Sequence, residues 1–129
     1  ACLQSRQAGT GGTGFGIAGH LHEICEASNV RADIALDVLP VVDGAGALVA
    51  SGIASSLWAS NQASAPVSGV AGPKAALLHD PQTAGGLLAS VAQADVAHLL
   101  KALENAGYTA AQVGQITPPG TGLSARASL

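Results

Sequence analysis

Apolar residues recur at helical spacing in two parts of the chain and cluster in short strand-like runs between them. Ile17, Ala18, Leu21, Ile24 and Cys25 fall on one face, with His22, Glu23 and Glu26 opposite, which predicts a helix over residues 14–28. Ser28-Asn29 can end it, because Asn tolerates the left-handed cap. Alternation at Ile34, Leu36 and Val38 predicts a strand over residues 32–38. Pro40 stops that strand and can sit in the first turn of a second, short helix over residues 43–51, ended by Gly52. Residues 53–74 are rich in Ser, Asn, Gly and Pro and read as a long polar loop, of a length that is usually functional or mobile. Residues 75–79 and 87–91 are apolar runs that read as strands. Residues 93–106 carry the clearest helical pattern, with Val96, Leu99, Leu100 and Leu103 inward and Gly107 as terminator. Residues 111–117 read as a last strand, and the tail from Pro118 as frayed. Residues 7–16, ahead of the first helix, read as a glycine-rich loop, and no internal repeat is present. This order implies an α+β fold, with helices packed on one face of a mixed or antiparallel sheet.

Composition narrows the class. A chain of 129 residues is one domain by length, with its core over about residues 8–117. Hydrophobic residues make up 48% and aromatic residues 2%, so the core is built from Ala, Val, Leu and Ile, with Phe15, Trp58 and Tyr108 as isolated large pieces. Only 10% of residues are charged, which argues against disorder throughout. The net charge of −3 leaves no basic stripe for a nucleic-acid surface. No apolar run has the length of a membrane span. The first residues lack a signal-peptide layout and an initiator Met, as expected of a piece of a longer chain. Cys2 and Cys25 could pair, but two thiols make no framework, and free cysteines of a cytoplasmic protein are the plainer reading.

Two segments carry candidate chemistry. In Gly9-Thr10-Gly11-Gly12-Thr13-Gly14-Phe15-Gly16, backbone N–H groups stand at a helix start with few side chains in the way, an arrangement that can cradle a phosphate. No Gly-Lys-Ser/Thr follows, so this is not a P-loop; the plainer alternative is a loop packed under the helix. Asp80-Pro81-Gln82-Thr83-Ala84-Gly85-Gly86 is a turn in which Asp80 can bond the backbone amides two residues on. It reads either as a connection between strands or as a loop lining a cleft.

Other groupings carry less. His20, His22 and Cys25 suggest zinc, but His20 and His22 stand about 200° apart on a helix, and His22 with Cys25 makes only two ligands. No metal ligand is therefore assigned, and His20 is expected to cap or pack near the glycine loop. Asp95, His98 and Lys101 form an ordinary solvated face. Cys25 on the apolar face reads as an inert buried thiol. No catalytic residue can be assembled from this chain.

Read together, Thr13-Gly14-Phe15-Gly16-Ile17-Ala18-Gly19-His20-Leu21 and Asp80-Pro81-Gln82-Thr83-Ala84-Gly85-Gly86-Leu87-Leu88 resemble the C-terminal domain of selenophosphate synthetase (selenide, water dikinase), of the aminoimidazole ribonucleotide synthetase superfamily. The resemblance covers residues 8–117. It implies that superfamily's C-terminal-domain fold, partly similar to a ferredoxin-like fold. It also implies the C-terminal part of a phosphotransferase that makes selenophosphate, AMP and phosphate from selenide, ATP and water. ATP and Mg²⁺ are implied for the full-length enzyme, and an N-terminal ATP-binding domain as the partner. Thr10, Gly11, Gly12, Thr13, Gly14 and Gly16 would be the loop facing the nucleotide phosphates, and His20, Asn61, Asp80, Gln82 and Thr83 candidates for the cleft lining.

Two departures from the family pattern stand out. Ala84 replaces a Ser, and Gly11-Gly12 replaces an Asp-Val whose Asp helps hold the divalent metal. The isolated chain is therefore expected not to turn over and to bind neither ATP nor Mg²⁺ tightly. The alternatives are a degenerate, non-catalytic module that binds a small anion or packs on a partner, and the same domain from another ATP-dependent member of the superfamily. A missing neighbour would uncover Phe15 and Ile17, from which weak homodimerisation is expected.

Overall fold

The computed structural model describes residues 6–11, 13–117, 120 and 122–126. Cys2, Gly12 and the last three residues lie outside that range. In chain order the strands are β1 (Arg6–Gly11), β2 (Arg31–Ala35), β3 (Val67–Ser68), β4 (Leu87–Val91), β5 (Gly114–Thr117) and β6 (Gly122–Arg126). The α-helices are α1 (Gly16–Ser28), α2 (Ala45–Ala50), α3 (Trp58–Ser64), α4 (Pro73–Ala76) and α5 (Val96–Asn105). Two sheets form: an antiparallel β1–β4 ribbon and a four-stranded mixed sheet in the order β3-β6-β2-β5. In the mixed sheet β2 runs antiparallel to β5 and parallel to β6. The α+β class is as expected.

The core lies between β2, β6 and α1. Ala32, Ile34 and Ala35 of β2 are buried, as are Leu123 and Ala125 of β6 and Ala18, Leu21 and Cys25 of α1. Small residues at Ala18 and Cys25, both 0% exposed, let the helix lie close on the sheet. Leu78, also fully buried, closes the core from a 3-10 turn over Leu77–His79. A buried Leu or Ile of this kind contributes about 1.5–3 kcal/mol. The α1 helix ends at Asn29 in the left-handed conformation, with Val30 N–H bonded to the Cys25 carbonyl. At Gly114, facing Ile34 across the β2–β5 pair, any Cβ would overlap the Asp33 carbonyl.

Several expectations from the sequence are corrected. Much of the glycine-rich loop over residues 7–16 is strand: β1 pairs with β4, because the partner strand supplies hydrogen bonds that glycines can make as well as any residue. The first helix starts at Gly16, two residues late, and the first core strand ends at Ala35, followed by a 3-10 turn over Leu36–Val38. The polar stretch 53–74 contains α3 and β3. In α3 the Ser60 and Ser64 hydroxyls bond back to the carbonyls of Leu57 and Ser60, so these polar side chains are satisfied within the helix. Residues 75–79 are not a strand. Pro73 at the first helical position opens α4, and the 3-10 turn continues it to His79. A short apolar run does not by itself separate strand from helix. The last strand is shorter than expected, Gly114–Thr117, and the tail returns as β6 in the interior of the mixed sheet. In α5 the apolar residues are half-buried rather than buried.

Candidate functional site

The β1–β4 ribbon brings the two glycine segments to one place. Gly11 pairs with Leu87 and Thr10 with Leu88, so the chain leaving β1 and the chain entering β4 meet at one end of the ribbon. From there the first segment turns into α1. The Thr13 carbonyl accepts two backbone N–H groups, Gly16 at 3.0 Å and Gln82 at 3.1 Å. The first closes the turn into the helix. The second ties that turn to the Asp80–Gly86 loop.

His20 holds the same residue from below. It lies one turn into α1, 7% exposed, and its Nε2 accepts the Thr13 N–H at 3.1 Å and faces the Thr13 hydroxyl at 2.9 Å. Because a backbone N–H can only donate, Nε2 carries the lone pair and Nδ1 the proton. Nδ1 points to the Glu23 carboxylate at 3.5 Å, a partner suited to that tautomer. The Phe15 ring stands edge-on to His20, with centroids 5.8 Å apart, and is 59% exposed.

Asn61 forms the second tie. It is buried on α3, and its Nδ2 donates to the Gly14 carbonyl at 2.9 Å and to the His79 carbonyl at 3.0 Å. One side-chain amide therefore links the first segment to the residue just before Asp80. Gly16 makes a third junction. It has φ +69°, and a Cβ there would lie 2.7 Å from the Leu78 carbonyl oxygen.

The outer side of the joint is open. A Cβ built at Gly11, Gly14 or Gly86 meets nothing within 4 Å, and Thr13, Gln82 and Thr83 are exposed. Asp80 is half-buried, and its Oδ2 accepts the Gln82 side-chain amide at 3.2 Å, in place of the backbone amide the turn pattern suggests. The α1 helix begins without a side-chain cap and without an acidic residue in its first turn. Its N-terminus can therefore face an anion. The donor set does not suit a divalent cation. Gly11 offers no carboxylate, and no cluster of three His, Cys, Asp or Glu that could hold a metal occurs among the described residues. Cys25 is a free, buried thiol, and burial pushes its pKa above the ordinary thiol value.

Of the residues singled out from the sequence, Thr13, Gly14, Gly16, His20, Asn61 and Gln82 come together in this joint. Thr10 and Gly11 lie at the end of β1. Asp80 reaches the joint through Gln82, whose side-chain amide its Oδ2 accepts. His79 and Trp58 were missed. His79 sits at the end of an apolar run, and nothing in that run marks it as a buried polar residue.

The family model for the C-terminal domain of AIR synthase related proteins matches residues 7–124. The chain belongs to that family. The match takes in both glycine segments and most of β6. Among its relatives the chain is 37% identical to the selenide, water dikinase of Dechloromonas aromatica (strain RCB), over 84% of this chain and 32% of that protein. It is 35% identical to the selenide, water dikinase of Haemophilus influenzae (strain 86-028NP), over 82% of this chain and 31% of that protein. With that of Haemophilus ducreyi it shares 36% identity, over 90% of this chain and 34% of that protein. The chain thus spans about a third of the length of the curated relatives it matches.

Proposed function

We propose that this chain is the C-terminal part of an ATP-dependent selenide, water dikinase, a cytoplasmic enzyme that forms selenophosphate, AMP and phosphate from selenide, ATP and water. The observation that carries this reading is the bond from Gln82 N–H to the Thr13 carbonyl. It unites the two segments that resemble the synthetase into one surface, with the open glycines outward and His20 and Asn61 holding it from behind. In this reading Thr10, Gly11, Gly12, Thr13, Gly14 and Gly16 face the nucleotide phosphates, and Gln82 and Thr83 border the cleft. An N-terminal ATP-binding domain supplies the rest of the site.

The isolated chain does not turn over in this reading. Phosphoryl transfer needs metal and cationic groups to take up the developing charge. This chain has five Lys and Arg in all and a glycine where the metal carboxylate belongs. ATP–Mg²⁺ therefore binds the chain alone more weakly than about 1 mM, or about −4 kcal/mol. Titration calorimetry checks this, and micromolar binding would overturn the assignment of roles.

Gly11 also supports a second reading, a non-catalytic module that packs on a partner or binds a small anion. The space around Gly11 admits a carboxylate. When the chain is joined to a nucleotide-binding N-terminal domain, Gly11→Asp should raise Mg²⁺-dependent ATP turnover if the enzyme reading holds. No gain, with the fold intact, favours the module.

A further inference from the structure

The joint is closed through the Thr13 carbonyl and N–H, and the hydroxyl of the same residue serves neither bond. The Thr13 N–H fixes His20 Nε2 as the bearer of the lone pair. The Thr13 hydroxyl lies 2.9 Å from the same nitrogen, so between these two atoms only the hydroxyl can donate. The backbone N–H shares that lone pair and thereby pins the threonine within reach of it. On the other side of the ring, Nδ1–H faces the Glu23 carboxylate at 3.5 Å. Hydroxyl, imidazole and carboxylate therefore follow one another as a nucleophile, its base and the group that orients the base do. Their exposure is graded to match. Thr13 is exposed, whereas His20 is 7% exposed, so a reactant can reach the oxygen while the base is screened from water.

We propose that Thr13 is a nucleophile that takes up a phosphoryl group from an activated phosphate anhydride, with His20 as its general base and Glu23 as the positioning residue behind the base. Thr13 Oγ1 bonds to phosphorus, and the bond from phosphorus to the leaving oxygen breaks, its electron pair going with that oxygen. The hydroxyl proton passes to His20 Nε2, and Glu23 at Nδ1–H steadies the imidazolium so formed. The surroundings of the hydroxyl select phosphoryl among electrophiles. Gly14, next to it, places no side chain in the way. The α1 helix, which begins at Gly16, has no side-chain cap and no acid in its first turn, so incoming negative charge meets backbone N–H dipoles. The inference stands on Thr13, His20 and Glu23 and does not rest on the dikinase reading.

Acetyl phosphate, an anhydride with neither nucleotide nor selenium, tests this on the full chain. Mass spectrometry should find acid-stable phosphothreonine at Thr13, and Thr13→Val, which keeps the shape and loses the hydroxyl, should abolish it. His20→Gln should slow labelling at least about a hundredfold. Glu23→Gln should lower the limiting rate roughly tenfold and leave the half-saturating acetyl phosphate concentration unchanged, a split that a merely structural role would not give. The Glu23 side chain is 68% exposed, so this variant keeps the test decisive if His20→Gln fails to fold. No label at Thr13 would overturn the proposal. So would an acid-labile label on His20 itself, or a Thr13 label whose rate Glu23→Gln leaves unchanged. Because the probe lacks a nucleotide, its failure is distinct from a failure of ATP turnover in the Gly11→Asp test.

Discussion

The Thr13 carbonyl accepts the Gln82 N–H at 3.1 Å, across a sequence separation of 69 residues (82 − 13). That bond lies on the open side of a joint whose buried side is Asn61. The two segments most suggestive of function therefore form one hydrogen-bonded unit, and substitutions within it should act on the unit as a whole.

Asn61→Asp keeps the volume and removes both donors. A carboxylate would then face the Gly14 and His79 carbonyls from a buried position. The expected loss is roughly 3–5 kcal/mol at neutral pH, measured by urea unfolding. Burial and the facing carbonyls would raise the folded-state pKa of the new acid above its unfolded value. The deficit should therefore shrink as pH falls through that range and the acid takes up its proton. No deficit at neutral pH would mean that the amide contributes shape rather than hydrogen bonds.

Gly16→Ala and Gly14→Ala should differ sharply. At Gly16 the backbone is left-handed and the added methyl meets the Leu78 carbonyl. The combined strain and overpacking should cost about 3 kcal/mol. At Gly14 nothing stands within 4 Å, and the change should stay within about 1 kcal/mol. Thermal melts of the two variants side by side check this, and similar losses would place the joint elsewhere.

Phe15→Ser tests self-association. With Phe15 59% exposed, its removal should change stability by no more than about 0.5 kcal/mol. If copies of the chain meet through this ring, sedimentation should show the variant shifted to monomer at matched concentration. A lower melting temperature with unchanged mass would assign Phe15 a role inside the domain instead.

Cys25 predicts an alkaline limit. Its folded-state pKa is raised by burial, so above the ordinary thiol pKa the unfolded chain loses a proton that the folded chain keeps. Stability should fall as pH rises from that value toward the folded pKa, and Cys25→Ala should remove this part of the slope. In a Cys2→Ser background the native thiol should react with a disulfide reagent at least about a hundredfold more slowly than in urea, because reaction requires opening. Fast native labelling would contradict its burial.

The parts whose signal is local are legible in the residues alone. The apolar face of α1 reads directly from Ala18, Leu21 and Cys25, its left-handed end from Asn29, and the strand at Leu87–Val91 from its composition. The two glycine segments, and the family likeness they carry, needed no coordinates. Tertiary structure decided whatever depends on a distant partner. β1 is a strand because β4 lies beside it, although its sequence shows no alternating pattern, and β6 because β2 and β3 flank it, although it alternates only over the few residues Leu123–Arg126. α3 is buried at an asparagine because carbonyls 47 and 18 residues away take its hydrogens. Periodicity records where apolar side chains meet a core, whereas hydrogen-bond pairing depends on which backbone the fold brings alongside.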